Sequence, residues 1–161
     1  MRLFIAYSLI LAFLFPAPLS AAVRGKEVMY LGGTVKSVPE ATTGELDTDD
    51  PKTLSFTSPK GSFTIPYDRI TSLEYGQKAG RRVGVAIMVS PLALFSKKRN
   101  HFLTITYKDK AGNEQTGVFE LGKDIVRTTL KILEVRTGKT ITFQDAEACK
   151  QYKTPKECDG K

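Results

Sequence analysis

Few residues of this chain are of types that could do chemistry. They are one histidine, His101; two cysteines, Cys149 and Cys158; the acids Glu45, Asp47, Asp49 and Asp50; and a group of cations between Lys78 and Lys108. A general base or a nucleophile needs a second group to activate or orient it. His101 opens an alternating run, HFLTITY, with no nucleophile evident near it, which suits a structural imidazole at the edge of a strand better than a catalytic one. No G-x-S-x-G, Walker A or dinucleotide fingerprint is present. The four acids lack the glycine and the distal glutamate of an EF-hand loop, and Asp47 to Pro51 reads as an ordinary turn. The expectation is a non-catalytic protein with no catalytic residue, no metal site and no cofactor.

The cations are the stronger signal. Between Glu74 and Asp109 no acidic residue occurs, while Lys78, Arg81, Arg82, Lys97, Lys98, Arg99 and Lys108 do. An apolar run from Val83 to Phe95 lies between Arg81 and Arg82 on one side and Lys97, Lys98 and Arg99 on the other. Without Arg2 the chain has 23 basic and 17 acidic residues; removing the seven cations of the window leaves 16 against 17. The net positive charge is therefore a patch. Nucleic-acid binding usually needs cations spread along a groove with aromatics between them, and this pattern does not fit it.

Residues 1–22 read as a cleaved export signal. Arg2 supplies a short basic start, Leu3 to Phe15 an apolar stretch, and Ser20 and Ala22 the small residues of a cleavage site. The stretch is shorter than the roughly 20 residues that span a bilayer as a helix. Export to a periplasm or the cell exterior is expected, with no transmembrane helix in the mature chain. Residues 23–143 are expected to form one domain, and residues 144–161 a polar tail. An exported protein meets oxidising conditions, so Cys149 and Cys158, with eight residues between them, are expected to pair. No C-x-x-C spacing or nearby histidine supports a redox or metal role instead. The bridge would contribute about 2.5 to 3 kcal/mol only if the tail packs on the domain.

The hydrophobic period along the mature chain is mostly two. Glu27 to Val35 predicts a first strand with a bulge or bend at Gly32 and Gly33. Lys36 to Lys52, with Pro39, Gly44, Pro51 and five acids, reads as a long loop. Leu54 and Phe56, a Ser58 to Gly61 turn, and Phe63 and Ile65 make a hairpin. Ile70, Leu73 and Tyr75 mark another strand, His101 to Tyr107 the clearest one, and Gln115 to Leu121 its return after an Asp109 to Asn113 turn. From Lys123 to Thr137 the period changes: Ile125, Val126, Thr129, Leu130 and Leu133 share one helical face, and Gly138 follows as a C-cap. Thr140 to Phe143 suggests a short last strand. The fold class expected is mainly β with one C-terminal α-helix, its apolar face lying on a curved antiparallel sheet of five to seven strands.

IPYDRITSLEY at Ile65 to Tyr75, the pair HFLTITY and VFEL, and a terminal helix ending RTGK at Arg136 to Lys139 resemble the bacterial pleckstrin-homology-like (GRAM-like) barrels, and in particular small secreted bacterial proteins of that kind. The resemblance covers roughly Glu27 to Lys139. It implies a partly open barrel of two near-orthogonal sheets plugged by the C-terminal helix, and a binding or scaffolding role. Phosphoinositide-binding members of that superfamily carry cations around the loop joining the first two strands. Here Ser37 to Pro51 carries five acids and no Lys or Arg, so an inositol-phosphate ligand is not supported.

The segment Lys78 to Arg99 keeps two readings open. Its apolar core is too short to cross a bilayer as a helix and is interrupted by Ser90 and Pro91. In one reading it is buried structure with its cations reaching water. In the other, Ile87, Met88, Leu92, Leu94 and Phe95 contact a membrane or a partner while Arg81, Arg82, Lys97, Lys98 and Arg99 meet anionic groups. The expected function is a binding module for an anionic lipid or envelope surface; the alternative is a protein-interaction or assembly component using the same segment or a free sheet edge.

Overall fold

The computed structural model describes residues 27–77 and 100–158. The expected export signal lies outside these residues, and so does the segment 78–99.

Eight strands form one sheet: β1 (Val28–Gly33), β2 (Thr42–Asp47), β3 (Thr53–Ser58), β4 (Gly61–Pro66), β5 (Ile70–Gly76), β6 (His101–Lys108), β7 (Glu114–Leu121) and β8 (Thr142–Phe143). They lie in the order β4-β3-β2-β1-β7-β6-β5-β8, every pair antiparallel except the parallel β5–β8. The sheet curls into a half-barrel, as the expected fold class requires. One helix, α1 (Val126–Thr137), packs on its concave side; α2 (Ala146–Tyr152) and α3 (Pro155–Cys158) follow in the tail.

Alternation decides which side chains enter. Leu54 and Phe56 of β3, Ile65 of β4, Leu73 and Tyr75 of β5, Leu103 and Ile105 of β6, and Phe119 and Leu121 of β7 are all buried in one cluster. Tyr30, Phe56, Phe63 and Phe119 form its aromatic centre, with ring centroids 5.4 to 6.1 Å apart. From α1, Val126, Leu130 and Leu133 close the cluster, on the face expected from their spacing. Gly138 ends that helix in the left-handed region, φ 65°, and its N–H donates to the Glu134 carbonyl, so the C-cap falls where the sequence places it. The expected bulge in β1 is present as a register shift between Tyr30 and Gly32.

Two expectations need correction. The long loop Lys36 to Lys52 contains a strand, β2, which brings the count to eight rather than five to seven. Only Thr42 of β2 is fully buried, so the strand has almost no apolar alternation; its backbone pairing with β1 and β3 defines it. Gly44 permits that pairing, because a Cβ there would lie 2.4 Å from the Thr57 carbonyl oxygen and 2.7 Å from the Phe56 ring. Secondly, α1 is not the sole helix. Asp145 caps α2, its carboxylate accepting from the Ala148 N–H at 2.8 Å, and Ala148 is wholly buried in the core.

The tail is therefore docked. Cys149 and Cys158 are bonded, with Cα atoms 5.8 Å apart. The Tyr152 hydroxyl donates to Glu134 Oε2 at 2.8 Å, and its ring meets Phe143 at 5.9 Å. A bridge closing about ten residues that pack on the domain removes denatured-state freedom without stapling a loose end. Reduction, or Cys149→Ser with Cys158→Ser, is expected to lower unfolding free energy by about 2 to 3 kcal/mol. Urea titrations with and without reductant measure this; identical midpoints would contradict it.

Candidate functional site

The cations singled out in the sequence, Arg81, Arg82, Lys97, Lys98 and Arg99, lie outside the described residues. So do Ile87, Met88, Leu92, Leu94 and Phe95. What the structure does describe is the place from which that segment departs and to which it returns. It leaves after Gly76 and Gln77, at the end of β5, and re-enters through Asn100 and His101, at the start of β6. Gly76 and Phe102 are register partners. Antiparallel pairing thus roots both ends of the segment at one end of the sheet.

Three groups build this end of the sheet. On the concave side, Tyr75 is fully buried, its ring stacked 6.1 Å from that of His101, and its hydroxyl lies 2.6 Å from His101 Nδ1. Burial pushes the Tyr75 pKa up to about 12, so the phenol stays protonated and donates to the neutral imidazole. Beside Gly76, the Gln144 side chain fills the space a Cβ would need. On the opposite face, Leu31, Phe102 and Val118 form a second, smaller buried cluster with Met29 packed against it. Two carboxylates border it. Glu120, the partner of both Met29 and Phe102, is half-buried, and desolvation raises its pKa; Glu74, beside Thr104, has a buried Oε1 with no hydrogen-bond partner among the described residues.

His101 is held by Tyr75, a partner the sequence does not reveal. Burial first, and then the nearby Lys123 cation, lower its pKa below the ordinary 6.5. The unfolded chain takes up a proton near 6.5 where the folded chain resists it. The stability from this pair is therefore complete above about pH 6.5 and lost as pH falls from there through the lower folded value. The wild-type thermal midpoint is expected to drop between pH 7 and 5 more steeply than that of His101→Gln. Parallel curves would refute the assignment.

Elsewhere the acids serve the backbone. Asp47 Oδ1 accepts from the Asp49 N–H at 2.7 Å, and Asp50 Oδ1 accepts from those of Lys52 and Thr53 at 2.7 and 2.9 Å. These are side-chain turns of the kind expected for Asp47 to Pro51. Arg136 of α1 crosses to the same loop: its guanidinium donates to the Thr48 and Asp50 carbonyls and to the Tyr67 hydroxyl, and it lies over the Tyr67 ring. Among the described residues no group of three or more His, Cys, Asp or Glu side chains could hold a metal ion. No described helix is long and apolar enough to cross a membrane.

No protein-family model matches this chain, and no curated protein matches its sequence.

Proposed function

We propose that this protein is an exported binding module that attaches to an anionic lipid or envelope surface through the cations of residues 78–99, without catalysis. The observation that carries the reading is the hairpin register. Gly76 opposite Phe102 roots both ends of the segment at one end of a sheet, and in sequence one cation group follows the first root and the other precedes the second. Lys123, whose charge is felt at His101, adds a further cation there. Each cation brought to an anionic surface contributes on the order of 1 kcal/mol, so the effect depends on gathering several of them.

The half-barrel with α1 on its concave side supports the resemblance to pleckstrin-homology-like barrels as a reading of family. The bonded cysteines support export to an oxidising compartment, a periplasm or the cell exterior. The alternative of partner capture by a sheet edge has less behind it. Edge strand β4 exposes Ser62 and Thr64 and ends in Pro66, features that discourage strand addition.

Co-sedimentation of the mature protein with vesicles tests the proposal. Binding to vesicles of anionic lipid, absent with zwitterionic vesicles and released by salt, is the expected result. Equal binding to both, or self-association that persists in high salt without lipid, would overturn it.

A further inference from the structure

A groove lies between α1 and the tail. Arg127, Lys131 and Glu134 stand four and three residues apart on α1 and so line one stripe of that helix. Tyr152, Lys153, Thr154 and Glu157 make the facing wall, and the space between is about 450 Å³. All four residues of that wall fall inside the loop closed by Cys149 and Cys158.

Three cations and two carboxylates line this groove, a net charge of one positive, with Glu157 in electrostatic reach of Lys153 and Lys131. Its two carboxylates are already engaged: Glu134 accepts from the Tyr152 hydroxyl and from the Ile141 N–H, and Glu157 Oε2 accepts from Thr154 Oγ1 at 2.6 Å and its N–H at 3.0 Å. Among the described residues, the Arg127 guanidinium makes long contacts, 3.4 and 3.5 Å, to the Gln151 and Tyr152 carbonyls. Lys153 lies over the Phe143 ring, 5.7 Å from its centre. The groove thus keeps one cation in excess of its carboxylates, and the space is larger than one inorganic anion needs.

We propose that this groove binds a small organic molecule through a phosphate or carboxylate group held by Arg127, Lys131 and Lys153, and that the disulfide keeps the groove in shape for it. The α1 wall is fixed by Leu130 and Leu133 in the core, whereas the tail wall depends on Tyr152, Ala148 and the Cys149–Cys158 bond for its position. A preorganised cationic wall loses less on binding than one that must be ordered first. The bridge then has a second consequence besides stability: reduction lowers affinity. The site uses no residue of the segment 78–99 and stands or falls separately from surface attachment.

Amide chemical shifts of the mature chain, titrated with sodium phosphate, sodium acetate and sodium chloride at matched ionic strength, test it. Resonances of Lys131, Lys153 and Thr154 are expected to shift saturably with phosphate or acetate and not with chloride; tighter binding of a short-chain phosphatidylglycerol below its micelle concentration would identify a lipid head group as the source. Lys131→Gln with Lys153→Gln is expected to weaken binding roughly tenfold or more. Reductant is expected to weaken it severalfold while sheet resonances hold their positions. Shifts that follow ionic strength alone, or a double variant that binds like wild type, overturn the site, and affinity unchanged by reduction overturns the role of the disulfide.

Discussion

Changing Arg81, Arg82, Lys97, Lys98 and Arg99 together to Ser is expected to lower affinity for anionic vesicles by three to four orders of magnitude. Five cations at about 1 kcal/mol each sum to about 5 kcal/mol, and each 1.4 kcal/mol is a factor of ten. The sum is an upper limit, reached only if all five cations meet the surface together. Net charge falls by five in the variant, so a control must fall equally. Lys36, Lys52, Lys60, Lys110 and Lys139 are all exposed and spread over the molecule, and their joint change to Ser is expected to cost less than tenfold. Equal losses in the two variants would mean that net charge, and not the patch rooted at β5 and β6, drives attachment. Binding that survives the first variant and resists salt has a separate source. Burial of three apolar side chains in lipid is worth roughly 4 to 9 kcal/mol, and Ile87, Met88, Leu92, Leu94 and Phe95 are the residues to substitute next.

The strands legible in the sequence were those whose side chains alternate against the core. Leu54 and Phe56, Phe63 and Ile65, and Leu103 and Ile105 each announce a face, and the structure buries or packs those faces together. Strand β2 announces nothing, since its neighbours supply its hydrogen bonds and Gly44 its clearance, and neither is a hydrophobic signal. Helix α2 has seven residues, too few to display a helical period, and only Asp145 at its cap marks it. The cation cluster is read from charge counted along the sequence, and its five residues lie outside the described ones. The groove was not: its two walls lie about twenty residues apart in sequence, and only the docking of Tyr152 on Glu134 brings them together. His101 was legible as the first residue of a strand, but Tyr75 as its partner depended on the register between β5 and β6.

Arg136→Ala is expected to destabilise the fold by about 2 to 4 kcal/mol, a large part of the roughly 5 to 15 kcal/mol that holds a domain of this size together. The residue belongs to the RTGK ending of α1, where sequence alone suggests a helix terminus and no more. The structure gives it three acceptors and a ring: the carbonyls of Thr48 and Asp50, the hydroxyl of Tyr67, and the face of Tyr67. It thereby ties α1 to the loop between β2 and β3 and to the turn entering β5. Hydrogen bonds from a charged donor contribute about 1.5 to 3 kcal/mol each, and the exposure of the Asp50 contact argues for the lower end. Removal also leaves Tyr67, 3% exposed, with a buried ring and no cation beside it. A lysine restores the charge but not the flat guanidinium that lies over the Tyr67 ring, so Arg136→Lys should recover less than half of the loss. In urea unfolding, Tyr67→Phe combined with Arg136→Ala should cost less than the two single changes added, because they share one contact. A loss below about 0.5 kcal/mol for Arg136→Ala, or strict additivity with Tyr67→Phe, would show that the loop is held by its own aspartate turns, with the guanidinium resting on them at no gain.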